Sequence, residues 1–123
     1  MRKRPPPTNS KSTQTTPNAF TLKVIDVVQK IPRGRVATYQ QVAGLTGKLR
    51  ASHAVGWILN SCWKKYKLPW QRVISSKGRI SFKPGTRDFV LQRRLLENEG
   101  VEVEAFTGRI DLKRFQYRKK PPS

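Results

Sequence analysis

Apolar positions recur with helical spacing in several stretches of the chain. Phe20 is followed at offsets 4, 7, 8 and 11 by Val24, Val27, Val28 and Ile31, which is one face of a helix. Asn18 is placed to cap its start, and Pro32 with Gly34 ends it. Thr38-Tyr39-Gln40-Gln41 has the form of a capping box, so a second, short helix starts there and stops at Gly47. Ser52 can cap a third helix running to about Cys62. On it Val55, Ile58, Leu59 and Cys62 fall within about 100° of arc, with His53, Trp57 and Asn60 on the opposite side. That side is free to meet a partner, and Ala51, Ala54 and Gly56 are small enough to let another surface come close. A last helix is predicted from Thr86 as cap to Gly100 as stop, with Leu91, Leu95 and Leu96 inward.

Between the third and last helices the pattern changes. Arg72-Val73-Ile74-Ser75 and Gly78-Arg79-Ile80-Ser81-Phe82 read as two short strands joined by a turn. The second and third helices, joined by a few residues that include a glycine, read as helix-turn-helix. The predicted class is therefore mainly α with a small β hairpin, a winged-helix-like helix-turn-helix domain. It is expected to span 18–112, between a disordered, basic, proline-rich arm at 1–17 and a basic flexible tail at 113–123.

Charge adds the next constraint. Of 123 residues, 26 are Lys or Arg and 7 are Asp or Glu, a net charge of +19. Such an excess repels itself until a polyanion or counterions neutralise it, so nucleic acid leads as partner. An anionic membrane surface or ribosomal RNA satisfies the same arithmetic. One cysteine excludes an internal disulfide, and one cysteine with one histidine cannot supply the four ligands usual for zinc. No metal or other cofactor is expected. Met1–Arg4 is basic, but Pro5-Pro6-Pro7 stands where a signal peptide needs an apolar run, and no stretch reaches membrane-spanning length. The expectation is an intracellular protein, in cytoplasm and nucleoid or in a nucleus, acting as a monomer.

Five segments narrow the reading further. They are Ile31-Pro32-Arg33-Gly34-Arg35-Val36, Thr38-Tyr39-Gln40-Gln41-Val42-Ala43, Ala54-Val55-Gly56, Pro69-Trp70-Gln71-Arg72-Val73-Ile74 and Leu95-Leu96-Glu97-Asn98-Glu99-Gly100. In this order they resemble the C-terminal, DNA-binding domain of the O6-alkylguanine-DNA alkyltransferases, from about Phe20 to Gly100. In that family the core motif reads Pro-Cys-His-Arg-Val. The cysteine accepts the alkyl group, helped by the histidine and a distant glutamate. Here Trp70 stands at the cysteine position and Gln71 at the histidine position, and Glu99 alone remains. The chemistry requires a thiolate beside a base. An indole lone pair belongs to its ring, and an amide does not titrate near neutral pH. Transfer to position 70 is therefore not expected.

Pro69-Trp70 is what distinguishes the alkyltransferase-like proteins, and the resemblance implies their function. That function is to recognise O6-alkylguanine in double-stranded DNA by minor-groove helix-turn-helix binding, flip it out, and flag it for nucleotide excision repair proteins. The implied lesion-pocket residues are Tyr39, which would rotate the 3′ phosphate, Trp70 on the wall, Arg72 and Val73 in support, and Lys83 over the base. The hairpin from Gly78 to Gly85 would close the pocket. The implied DNA-binding residues are Tyr39, Arg50, Ala51, Ser52, His53 and Trp57. His53 takes the place of an arginine finger, with Arg50 one turn earlier able to supply its charge. Trp57 is bulkier than the family pattern and could wedge between base steps or obstruct docking.

Plainer readings stand beside these. Cys62 falls in the apolar stripe as a structural thiol, Glu99 can simply hold the last helix, and Lys83 can be a solvated charge. Two other functions remain open. One is a winged-helix transcription regulator or nucleoid protein without lesion preference, which would read intact base edges. The other is an enzyme working through Cys62, which no paired base supports.

Overall fold

The computed structural model describes residues 18–118; the expected arm at 1–17 and the last five residues of the expected tail lie outside them. Helix α1 (Ala19–Gln29) begins as its cap predicts, the Asn18 side chain accepting from the Thr21 N–H at 2.8 Å. Strand β1 (Ala37–Thr38) leads directly into α2 (Tyr39–Leu45), whose capping box is complete: Gln41 N–H donates to Thr38 Oγ1, and Thr38 N–H to the Gln41 side chain. A turn through Gly47 carries the chain into α3 (Ser52–Tyr66). After one 3-10 turn at Trp70–Arg72 come β2 (Val73–Ile74), α4 (Arg87–Asn98) capped by Thr86, and α5 (Leu112–Phe115) capped by Asp111.

The two strands pair in parallel, Ala37 with Val73 and Thr38 with Ile74. Successive strand residues face opposite sides, and this divides the core in two. Ala37 and Val73 join the helical cluster of Val24, Val28, Val42, Val55 and Leu59. Val36 and Ile74 join a second cluster with Leu96, Val101, Ile110 and Phe115. Each such side chain removed from water contributes about 1.5–3 kcal/mol. Gln92, fully buried on α4, donates to the backbone oxygens of Gln71 and Val73 at 2.9 and 3.1 Å. It thereby ties α4 to the 3-10 turn and to β2.

The predicted class holds, with four corrections of detail. The expected hairpin is reduced to one antiparallel bridge, Ser75 with Arg79, because β2 spends its hydrogen bonds on β1 and Arg79 also bridges to Arg109. Ser52 is not the cap of α3 but its first residue; Ala51 holds the cap position without a side-chain bond, turned in by its N–H to the Lys48 oxygen. That helix runs past Cys62 to Tyr66 and so includes Trp63; Lys67, left-handed at φ 53°, ends it. On α4 the inward residues are Phe89, Gln92 and Leu96, whereas Leu91 is 46% exposed.

The tail boundary also moves. Residues expected to be flexible from 113 form α5 and a bridge from Gln116 to Val36. Phe115 is buried, and Tyr117 packs against the helical core.

Candidate nucleic-acid interface

The capping box fixes more than the start of α2. It sets Tyr39 at the first helical position, with its ring beside Gly56 of α3 and its hydroxyl 3.4 Å from Ser81 Oγ. The turn and first half of α3 present Arg50, His53 and Trp57 to solvent, the indole 57% exposed, whereas Ala51 and Ser52 are half-buried. These predicted DNA-binding residues thus lie together on one turn and one helix, next to Tyr39.

Beside this face is a cavity of about 500 Å³. Tyr39 and Trp70 both line it. α3 contributes Gly56, Leu59, Asn60 and Trp63; the loop before α4 contributes Ser81 and Phe82; α4 contributes Asp88, Leu91 and Leu95. The aromatic walls are in register with one another: Trp70 meets Trp63 edge-on at 6.3 Å and Phe82 at 6.4 Å between ring centroids. Such edge-to-face pairs hold rings at fixed angles.

Arg72 and Val73 do not line the cavity; Val73 is in the core and Arg72 stands behind the wall. Lys83 is exposed and belongs to a separate groove with Lys77 and Arg79. Ser81 and Phe82 fall in the segment expected to close the pocket, whereas Gly56, Leu59, Asn60, Trp63, Asp88, Leu91 and Leu95 are lining residues that sequence reasoning missed. Leu91 and Leu95, four apart on α4, form a second apolar stripe beside the buried one, and that spacing reads as core and not as cavity wall.

Behind Trp70 the polar groups form one network. Arg72 Nε donates to Glu99 Oε1 at 2.9 Å, and Gln71 Nε2 donates to Oε2 at 2.8 Å. Arg72 Nη2 adds a bond to Oε2 at 3.1 Å, the Gly34 N–H reaches Oε1 at 3.4 Å, and Arg72 Nη1 donates to the Ile31 oxygen. Burial favours the protonated carboxyl of Glu99, but hydrogen bonds from Arg72, Gln71 and Gly34 outweigh it and hold the group below the usual carboxylate range. The glutamate is thus a fixed anion with its oxygens committed, in keeping with the plainer reading of a holding role. It clamps the end of α4 to the turn after α1 and to the 3-10 turn carrying Trp70.

Cys62 offers little nucleophilic chemistry. It packs against the helical core and is not part of the cavity wall, and burial pushes its thiol up, with nearby Lys65 offsetting part of the effect. A thiol so placed stays protonated and shielded. Among the described residues no three His, Cys, Asp or Glu gather as metal ligands, and no helix is long and apolar enough to cross a membrane.

Comparison with known proteins places this geometry. Residues 19–101 match the family described as 6-O-methylguanine DNA methyltransferase, DNA binding domain. The DNA base-flipping protein of Vibrio parahaemolyticus is 37% identical over 99 residues, covering 80% of this chain and 96% of the relative. Alkyltransferase-like protein 1 of Schizosaccharomyces pombe is 35% identical over 103 residues, covering 83% and 95%. The crystal structure of the S. pombe protein Atl1, in complex with damaged DNA containing O6-carboxymethylguanine, superimposes with a TM-score of 0.74 at 30% identity, over 85% of this chain and all of that one. The chain belongs to the family of the 6-O-methylguanine DNA methyltransferase DNA-binding domain and, within it, to the alkyltransferase-like proteins.

Proposed function

We propose that this protein binds double-stranded DNA at O6-alkylguanine, turns the damaged base out of the helix into the aromatic cavity, and leaves the alkyl group in place. The observation that carries this reading is Trp70 itself. It lines the cavity, at the position that the motif resemblance gives to the family's acceptor cysteine, and Gln71 and Glu99 behind it are hydrogen-bonded together. Extrusion costs a few kcal/mol of stacking and pairing, least for a base already mispaired. Contact with Trp70, Trp63 and Phe82 offsets that cost by replacing stacking on neighbouring bases. Tyr39, rigidly set at the start of α2, is the residue that presses on the backbone beside the extruded nucleotide. Arg50 and His53 meet the phosphates and the gap left behind.

Without an acceptor the protein cannot complete repair, so the bound complex serves as a flag for nucleotide excision repair proteins. Relatives named for base flipping and a relative bound to damaged DNA support the lesion-binding part of this reading.

The test of extrusion uses pyrrolocytosine, whose fluorescence rises when its partner leaves the stack. Placed opposite O6-methylguanine, it brightens on addition of protein; opposite guanine it does not. No rise with either duplex at saturating protein removes flipping from the account. The flagging step predicts faster incision of the lesion duplex by purified excision-repair enzymes when this protein is present, and an unchanged rate refutes it.

A further inference from the structure

The cavity has the wrong charge for its protein. Lys and Arg outnumber Asp and Glu by 26 to 7 along the chain, yet no lysine or arginine lines the cavity, and its one charged lining residue is Asp88. Lys83, next in sequence to Phe82, belongs to a separate groove. A carboxylate in the first turn suits the dipole of α4 wherever on the helix it lies. Its placement in this cavity is a second fact. Asp88 is in none of the ion pairs among the described residues, so its charge is available to an occupant.

The walls point the same way. Tyr39, Trp63, Trp70 and Phe82 line the space, with Trp70 edge-on to Trp63 and to Phe82. Aromatic faces attract cations through their quadrupole, and more strongly once water is excluded. Rings plus one carboxylate are the chemistry of a site for a flat or rounded cation. O6-alkylguanine is neutral and uses only the stacking part of this environment.

We propose that the cavity also takes purines made cationic by alkylation at a ring nitrogen, such as N7-alkylguanine or N3-alkyladenine, with Asp88 as the residue that favours their charge. This rests on the lesion-pocket reading and widens its ligand class. The positive charge of such a base is delocalised over the purine and lies against the rings, and the Asp88 carboxylate supplies the counter-charge. A pocket walled with lysine would reject the same base.

The experiment compares three duplexes at mildly acidic pH. One carries N7-methylguanine on a 2′-fluoro sugar, which blocks depurination. The second carries its neutral isostere, 7-deaza-7-methylguanine, on the same sugar. The third carries O6-methylguanine, with a guanine duplex as its reference. The wild-type protein is expected to prefer the cationic base over the neutral isostere by roughly five- to tenfold, and Asp88→Asn to shrink that preference severalfold. Equal affinity of the wild type for the first two duplexes overturns the proposal, as does an undiminished preference in Asp88→Asn. If O6-methylguanine is still preferred over guanine, only this extension has failed; if that preference is absent too, the lesion-pocket reading has failed with it.

Discussion

The indole of Trp70 decides the chemistry at the residue scale, and Glu99 decides what becomes of the machinery behind it. A cysteine at position 70 would not be enough. Trp70→Cys is expected to give little methyl transfer, because Gln71 has no titratable base and its amide is bonded to Glu99; label from an O6-methyl group should stay on the DNA, and brisk transfer to protein would refute this. Glu99→Gln breaks a pair whose side chains are only 5% and 17% exposed, and urea unfolding should show a loss of about 2–4 kcal/mol. The sign of the pH effect follows. A carboxyl held below its ordinary value contributes stability that is complete above the unfolded-state value near 4.5 and is lost as pH falls through the folded-state value. Wild type should thus destabilise on acidification more steeply than Glu99→Gln, and parallel pH profiles would contradict the clamp. Residue-scale signals that act over three or four positions, such as the Asn18 cap and the Thr38–Gln41 capping box, were legible in the sequence. The cavity wall was not: Leu91 and Leu95 carry the spacing of core residues, and only the distant approach of α3 and Trp70 makes their stripe a pocket.

Helices α1, α2 and α4 were readable as elements because their apolar period and caps are local. The parallel pair was hidden, since two-residue strands separated by α2, α3 and the 3-10 turn leave no alternation to detect. The C-terminal element was hidden by composition. Leu112–Phe115 is short and basic, and its helix exists because Phe115 buries against Val36 and Leu96. Phe115→Ala is therefore expected to cost about 3 kcal/mol, read as a lower urea midpoint with unchanged m-value. A loss under about 0.5 kcal/mol would return this segment to the status of a tail. Gly108 makes a comparable demand on the loop before α5. Its φ of 76° disfavours a side chain, and an added Cβ would lie 2.7 Å from the Phe89 ring. Gly108→Ala should cost about 3 kcal/mol in the same assay, and a neutral result would show that the loop relaxes freely.

Taken as a whole, the molecule combines a net charge of +19 with a cavity that no lysine or arginine lines. On the proposed function, the charge attracts any duplex and the cavity selects within it. Binding to intact DNA should fall about a hundredfold between 50 and 200 mM salt, as for roughly four neutralised phosphates. The ratio of lesion to intact affinity should change far less, because it arises inside the cavity; a ratio that collapses with salt would assign discrimination to the charged surface instead. The most direct measurement of the central claim is a titration of matched duplexes, one with O6-methylguanine and one with guanine, at physiological salt. The account predicts a preference of tenfold or more for the lesion, about 1.4 kcal/mol. Equal affinity would contradict it and give the lead to a winged-helix regulator or nucleoid protein that reuses this domain without lesion preference.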